Sequence, residues 1–154
     1  MGGMVDAEPP WLSTQQQEIW RRWLRAAARI TSELDTGLRE FDLDLAEYEI
    51  LVNLSEEAQR RVRMSELADR VRQSRSRLTH TVSRMEKQGL VTRETCTADG
   101  RGVWASLTPH GFEVLEQVAP HHVASVRRIF IDAIDPEDLS AVGRAMSSVL
   151  AVAD

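Results

Sequence analysis

Basic side chains are concentrated in one short stretch of this sequence. Positions 60–93 hold ten arginines and lysines against three acidic residues, a net charge of +7, whereas the whole chain carries −5 and the remainder therefore −12. Such a segregated surface attracts a polyanion while the rest of the molecule repels it, which orients the approach. The chemistry indicated is the binding of phosphate groups. A solvated, salt-bridged surface is the alternative that composition alone leaves open.

The most informative part of this stretch is a helix predicted over residues 75–88. Ser74 is its expected N-cap, and Gly89 follows it at the C′ position. At about 100° per residue, Leu78, Val82 and Met85 share one face. The opposite face holds no acidic residue, and its members are Ser76, Thr79, His80, Ser83, Arg84 and Lys87. A merely solvated helix usually mixes charge signs, whereas a helix that faces phosphates excludes carboxylates. The pattern therefore predicts a DNA-binding helix.

Two kinds of contact are predicted for this helix. Short polar side chains near its start, namely Ser76, Thr79 and His80, are candidates for base edges or sugars, with phosphate contact alone as the alternative. Arg75, Arg77, Arg84 and Lys87 are expected to position the protein on phosphates rather than to specify sequence. Ser74, Ser83 and Arg93 complete the predicted DNA-binding set. Arg72 and Arg93 have a second interpretation, in which they pair with Asp69 and Glu94 and stabilise the fold.

The elements around this helix predict a winged helix-turn-helix. A short helix is expected over residues 66–71 with Ser65 as its N-cap, about three residues before the next helix, and Ala68 is small enough for close approach. After Gly89, two β-prone runs at 90–96 and 103–107 are joined by a turn-forming segment. The predicted fold class is mainly α with a small β-hairpin wing.

Long amphipathic helices flank this lobe. Within the lobe a helix is predicted at 45–57; the flanking helices are predicted at 13–41, after Thr108-Pro109 and after Asp135-Pro136, the last two because proline is favoured at the first helical position. Their apolar surface exceeds what so small a domain needs, which indicates a two-fold subunit interface. We therefore divide the chain into a tail at 1–12 and a single domain at 13–154. Within that domain, 13–44 and 109–154 are dimerisation helices, and 45–108 is the DNA-binding lobe.

Other classes of site have weak support in the sequence. We find no nucleophile elbow, phosphate-binding glycine loop or paired cysteine motif, so neither an enzyme nor a bound cofactor is expected. His110, His121 and His122 are poor metal candidates because adjacent histidines point to different faces of a helix. The lone Cys96 fits strand packing in a reducing cytoplasm. No apolar run approaches a membrane span, and no signal peptide is evident, so a cytoplasmic protein without membrane contact is expected.

Several motifs occur together in an order that resembles the MarR family of bacterial regulators. They are Ser65-Glu66-Leu67-Ala68, Gly89-Leu90-Val91-Thr92-Arg93, Asp99-Gly100-Arg101 and Ser106-Leu107-Thr108-Pro109-His110-Gly111. The resemblance extends along nearly the whole chain. It implies a homodimer that places the 75–88 helix in the major groove and the wing in an adjacent minor groove. Arg101 corresponds to the wing-tip arginine of that family, and Asp99 to the carboxylate that orients it.

The resemblance also implies a small aromatic or phenolic effector, bound between the dimer helices and the DNA lobe. Trp20, Trp23, Tyr48 and Glu49 are the candidates for such a pocket, with interface packing as the alternative for the tryptophans. The predicted function is a sequence-specific, double-stranded DNA-binding regulator, a repressor that acts as a homodimer on a pseudo-palindromic operator. The alternative is a winged-helix protein-interaction module without DNA readout, which the acidic remainder and the glycine-flanked wing would suit.

Overall fold

The computed structural model describes residues 10–95 and 102–153, which form helices around one small sheet. In chain order the elements are α1 (Thr14–Arg39), α2 (Leu45–Ser55), β1 (Arg61–Arg63), α3 (Met64–Arg70), α4 (Arg75–Lys87), β2 (Val91–Thr95), β3 (Val103–Leu107), α5 (Pro109–Val126), a π-helical turn (Arg127–Ile131) and α6 (Pro136–Leu150). This is the predicted architecture, helix-turn-helix followed by a wing and flanked by long helices.

Local sequence determines where most of these helices begin. The side-chain oxygens of Ser13, Asp44, Ser74 and Thr108 each accept a hydrogen bond from a backbone N–H in the first turn of the following helix. Such caps satisfy backbone donors that have no partner within the helix. Gly89, with φ +73°, directly follows the C-cap of α4 as predicted, because glycine adopts this left-handed conformation without steric cost.

The start of α3 differs from the prediction. Ser65 is not its N-cap, since α3 begins at Met64, and Arg63 at the cap makes no side-chain hydrogen bond to the helix. The reason is the strand β1, which the sequence analysis missed and which runs directly into α3. Its three residues pair antiparallel with β3, and Val62 is buried opposite Ala105. Three residues are too few to show the alternation that identifies a strand.

The sheet therefore has three antiparallel strands in the order β1-β3-β2. Its inner face joins a core that also includes the apolar faces of α2, α3, α4 and α5. The most deeply buried large side chains are Leu38, Ile50, Leu51, Leu54, Val62, Leu67, Leu78, Val82, Met85, Val91 and Val118. This core holds α4 by its apolar face, so that the other face is directed outward.

The N-terminus of α5 is held against the segment that follows α4 by the Thr108 side chain and by close backbone packing at Gly111. The single proton of the Thr108 hydroxyl has the carbonyl oxygens of Gly89 and Leu90 within donating distance, at 2.6 and 3.0 Å, and the hydroxyl oxygen accepts from the Gly111 N–H at 2.9 Å. Gly111 lies so close to Leu90 that a Cβ atom added to it would stand 2.1 Å from the Leu90 carbonyl oxygen. The threonine and glycine of the Leu-Thr-x-x-Gly motif thus have a packing role.

Two helices leave apolar side chains uncovered. In α6 no residue is buried, although one face is apolar. Trp20, Trp23, Val149 and Leu150 are 52%, 42%, 66% and 76% exposed. Among the described residues, no helix is long and apolar enough to cross a membrane.

Candidate nucleic-acid interface

The two predicted faces of α4 are confirmed. Leu78, Val82 and Met85 are buried, and they are joined by Thr81, whose hydroxyl donates to the Arg77 carbonyl oxygen at 3.1 Å. The exposed side chains are those of Ser74, Arg75, Ser76, Arg77, Thr79, His80, Arg84 and Lys87, whereas Ser83 is half-buried. Burial of one face thus fixes which residues a ligand of this helix can reach.

Four of the exposed side chains have no partner among the residues that the structure describes. Within the described parts of the chain, those of Arg75, Arg77, His80 and Lys87 make no hydrogen bond or ion pair. The three cations among them are positioned on a folded helix without a counter-charge from residues 10–95 or 102–153. A phosphate can supply that counter-charge at little reorganisation cost.

The hydroxyl groups of the helix are partly used within it. Ser74 Oγ accepts from the Arg77 N–H at 3.2 Å, and Thr79 Oγ1 donates to the Arg75 carbonyl oxygen at 2.9 Å. Ser76 Oγ lies 3.4 Å from Ser74 Oγ. Ser74 therefore caps the helix, while Thr79 and Ser76 keep lone pairs with which to accept from a base amino group.

Two residues predicted to contact DNA, Arg84 and Arg93, form ion pairs within the subunit. Arg84 Nη2 lies 2.9 Å from Asp44 Oδ2 and 3.2 Å from Glu47 Oε1. Arg93 lies 2.6 Å from Glu86 Oε2, and its Nη2 also donates to Ser83 Oγ at 3.1 Å. These bonds hold both guanidinium groups against acidic side chains of the same subunit and also involve Ser83.

The prediction that Arg93 forms an ion pair within the fold is thus confirmed, but its partner is Glu86 rather than Glu94. Glu94 cannot be that partner because successive strand residues point to opposite faces; Arg93 is paired with Ala105 and Glu94 with Trp104 in the register. Arg72 makes no ion pair with Asp69 in the described structure. Its backbone has φ +52° in the turn between α3 and α4.

The described part of the wing adds basic groups that the sequence analysis did not select. The guanidinium carbons of Arg61 and Arg63 lie 4.8 and 5.3 Å from the ring centre of Trp104, in the range of cation–π contacts. Arg61 and Arg63 belong to the basic stretch at 60–93, which is the signal that could have identified them. Asp99, Arg101 and Cys96 lie outside the described residues, so their predicted roles stay predictions.

The four candidates for an effector pocket do not come together. Trp20 and Trp23 line an apolar groove of about 480 Å³ between α1 and α6, with Ile19, Met146 and Val149. Tyr48 is instead buried against His122, with ring centres 4.2 Å apart, and Glu49 is exposed on α2. Within one subunit Tyr48 and Glu49 therefore do not share a cleft with the tryptophans, because α2 packs on α5 rather than beside α6; an effector pocket that involves them stays a prediction.

The adjacent histidines of α5 contact aromatic rings in two different places, the turn between α1 and α2 and the helix α2. His121 lies 4.9 Å from the ring centre of Phe41, and His122 packs on Tyr48. No cluster suited to a metal ion occurs among the residues described. The His122 Nδ1 atom is buried and has no hydrogen-bond partner in the part of the chain that the structure describes. Burial lowers the pKa of His122 below its ordinary value and raises that of Tyr48.

Acid is therefore expected to destabilise the fold through His122. Because the folded-state pKa of His122 lies below the unfolded value of about 6.5, the unfolded chain binds more protons between the two values. This contribution to stability is complete above the unfolded pKa and is lost as the pH falls toward the folded one. Between pH 7.5 and 5.5, the free energy of unfolding measured by urea denaturation should fall less for His122→Phe than for the parent. His80→Gln, on the exposed face of α4, should decline like the parent; equal declines in all three proteins would contradict the assignment.

Comparison with known proteins agrees with this geometry. A family model described as MarR family matches residues 41–102. AbsC, a MarR family transcriptional regulator from Streptomyces coelicolor, is 48% identical with a TM-score of 0.87, covering 92% of this chain and 95% of that one. Sco3205, a MarR family regulator from the same organism whose structure is in complex with DNA, is 41% identical with a TM-score of 0.89, covering 94% and 91%.

A curated relative adds a functional description. The HTH-type transcriptional regulator PecS of Dickeya dadantii is 27% identical over 123 residues, which are 79% of this chain and 74% of that protein. The matches include structures at more than 40% identity over nearly the full length of both chains. The chain belongs to the MarR family and is a DNA-binding transcriptional regulator of the helix-turn-helix type.

Proposed function

We propose that this regulator acts as a homodimer that presents two copies of α4 to successive major grooves of a pseudo-palindromic operator. The observation that carries the proposal is the outer face of α4, where Arg75, Arg77 and Lys87 have no protein partner in the described structure. The only acidic residue of α4, Glu86, is bound by Arg93. This face therefore meets a polyanion without an opposing free carboxylate.

The exposed apolar surfaces of α1 and α6 support the homodimer. The groove lined by Trp20 and Trp23 continues along α1 into a second one of about 550 Å³, lined by Ile30, Phe130 and Met146 among others. A continuous apolar surface of this kind on a single subunit marks a protein–protein contact. A second copy offers the same surface, as two-fold association requires. We accordingly assign Trp20 and Trp23 to subunit packing rather than to an effector pocket.

Recognition would be divided among the side chains of this helix. Arg75, Arg77 and Lys87 hold phosphates, and Ser76, Thr79 and His80 meet base edges on the groove floor. The wing residues Arg101 and Asp99 are proposed to reach the adjacent minor groove, where a narrow A·T-rich groove favours a guanidinium group. Two copies of α4 related by two-fold symmetry call for half-sites about one helical turn apart, roughly 10 base pairs.

Repression, and release by a small aromatic effector, are proposed on the resemblance to the MarR family. An effector that bound one separation of the two lobes more tightly than another would shift the dimer population toward or away from the DNA-competent form. The protein-interaction alternative rests on the acidic remainder of the chain and on the glycine-flanked wing. The unpartnered cations of α4 favour DNA as the ligand instead.

Selection of bound duplexes from a random pool tests the proposal. The full chain should enrich an inverted repeat with a fixed half-site spacing, and sedimentation of the complex should give two chains per duplex. Arg77→Gln should enrich the same repeat with lower affinity, because it removes phosphate contacts without altering base contacts. Enrichment of a single half-site, or a complex with one chain, would contradict the proposed homodimer.

A further inference from the structure

We propose that Arg84 is a positioning residue, which fixes the recognition helix α4 relative to the dimer helix α1. By doing so it determines which spacing between half-sites the dimer accepts. It reaches away from α4 toward the N-terminus of α2. Its Nη2 atom lies 2.9 Å from Asp44 Oδ2 and 3.2 Å from Glu47 Oε1. This inference rests on the homodimer proposed above.

The two carboxylates are fixed parts of the helix start. Asp44 Oδ1 accepts from the Glu47 N–H at 2.8 Å, and Glu47 Oε2 accepts from the Asp44 N–H at 3.0 Å, which is a capping box. The Glu47 side chain is only 5% exposed. Arg84 is therefore held by acceptors that cannot easily move, and a planar guanidinium bound at two points fixes orientation as well as distance.

The same helix start is bound to α1. Asp35 Oδ1 accepts from the Leu45 N–H at 3.1 Å, and Asp35 Oδ2 pairs with Arg39 at 2.8 Å. The hydrogen bond from the Leu45 N–H is the main reason why the pKa of Asp35 lies below its ordinary value. Polar contacts thus run without a break from α1, through the start of α2, to Arg84 on α4. In a homodimer joined through α1, this chain of contacts would relate the two copies of α4 to the symmetry axis.

Half-site spacing is the property that such positioning controls. One additional base pair moves the second half-site by about 3.4 Å and rotates it by about 34°. A rigidly held α4 therefore tolerates one spacing, whereas a loosened α4 accepts neighbouring ones. A side chain that merely touched phosphate would change affinity on all spacings alike.

The test removes both carboxylate charges and preserves the cap. In the double variant Asp44→Asn/Glu47→Gln, asparagine remains a good N-cap and glutamine retains the capping box. Arg84 is 49% exposed, so its released guanidinium stays hydrated and the fold is preserved. Affinity for the preferred operator should fall about tenfold, the equivalent of one charge-assisted hydrogen bond. The preference over operators with one base pair added or removed should largely disappear.

A direct contact between Arg84 and phosphate would give the opposite result in the double variant. If Arg84 were a phosphate contact, the double variant would free it and remove two negative charges per subunit, so binding would tighten and its salt dependence would steepen. Tighter or unchanged binding with an unchanged spacing preference overturns the inference. A matched control is Glu57→Gln/Glu66→Gln, since these carboxylates hold Arg70, each at 2.6 Å, in the same lobe. It should leave the spacing preference intact.

Failure of the homodimer is detected separately. Sedimentation of the parent chain on its operator reports the number of subunits before any spacing is compared. A single subunit would overturn the proposed function. Two subunits with an unaltered spacing preference in the double variant would overturn only the role assigned to Arg84. Arg84→Lys provides a further check, because a lysine keeps the charge but cannot bridge two carboxylates in a fixed plane; it should resemble the double variant.

Discussion

Replacing Gly111 by alanine is expected to destabilise the fold by about 3–5 kcal/mol, in the range of the most damaging single substitutions. The added methyl group would stand 2.1 Å from the Leu90 carbonyl oxygen and 2.8 Å from Leu107 Cδ1. The nearer obstacle is backbone, which cannot rotate away as a side chain can. Separation of α5 from Leu90 would lengthen the hydrogen bonds of Thr108 to Gly89 and Leu90. Thermal unfolding should show a midpoint lower by roughly 10 °C or more.

Gly37→Ala is the control for this prediction. Gly37 lies inside α1, and a Cβ atom there would meet only the Ser125 Oγ atom, at 3.4 Å. Alanine is favoured over glycine in a helix interior by about 1 kcal/mol, so this variant should be as stable as the parent or more stable. If both alanine variants unfold at the parent midpoint, the close approach at Gly111 does not constrain the fold. Dimer content must be matched, since association changes the apparent midpoint.

The elements that sequence identified are those with a local physical cause. The start of α4 follows from Ser74, its end from Gly89, and its buried face from the spacing of Leu78, Val82 and Met85. Each of these effects operates within a few residues, through a cap, a left-handed backbone or the helical period. The sequence could therefore predict which face of α4 is exposed to solvent, and that Arg75 and Arg77 are exposed.

The features that sequence missed depend on contacts between distant segments. Arg84 and Glu47 are 37 positions apart, and the capping box at Asp44 alone does not indicate that an arginine will bind it. Strand β1 exists because β3 pairs with it, and it displaces the start of α3 from Ser65. The separation of Tyr48 from Trp20 likewise depends on how α2 and α6 pack. The sequence could thus predict that the interface is basic. Only the structure shows which of its basic side chains are held in ion pairs and which remain available to DNA.

The double variant Arg75→Gln/Arg77→Gln is expected to lose most of the salt dependence that α4 contributes to operator binding. Both side chains are exposed and without a protein partner in the described structure, so each is available to one phosphate. A homodimer carries each residue twice, and the variant therefore removes up to four phosphate contacts. At about 0.9 per contact, the slope of log affinity against log salt should become shallower by about 3.6.

That change in slope has a large and direct consequence. From 50 to 200 mM salt, the parent should lose on the order of 100-fold more affinity than the double variant. The matched control is Arg25→Gln/Arg144→Gln, which removes the same charge from exposed positions on α1 and α6. Its slope should equal that of the parent, because those side chains lie on helices assigned to dimerisation. Equal slopes in all three proteins would show that the outer face of α4 does not lie against the phosphates, since neutralising cations that contact DNA must reduce counterion release.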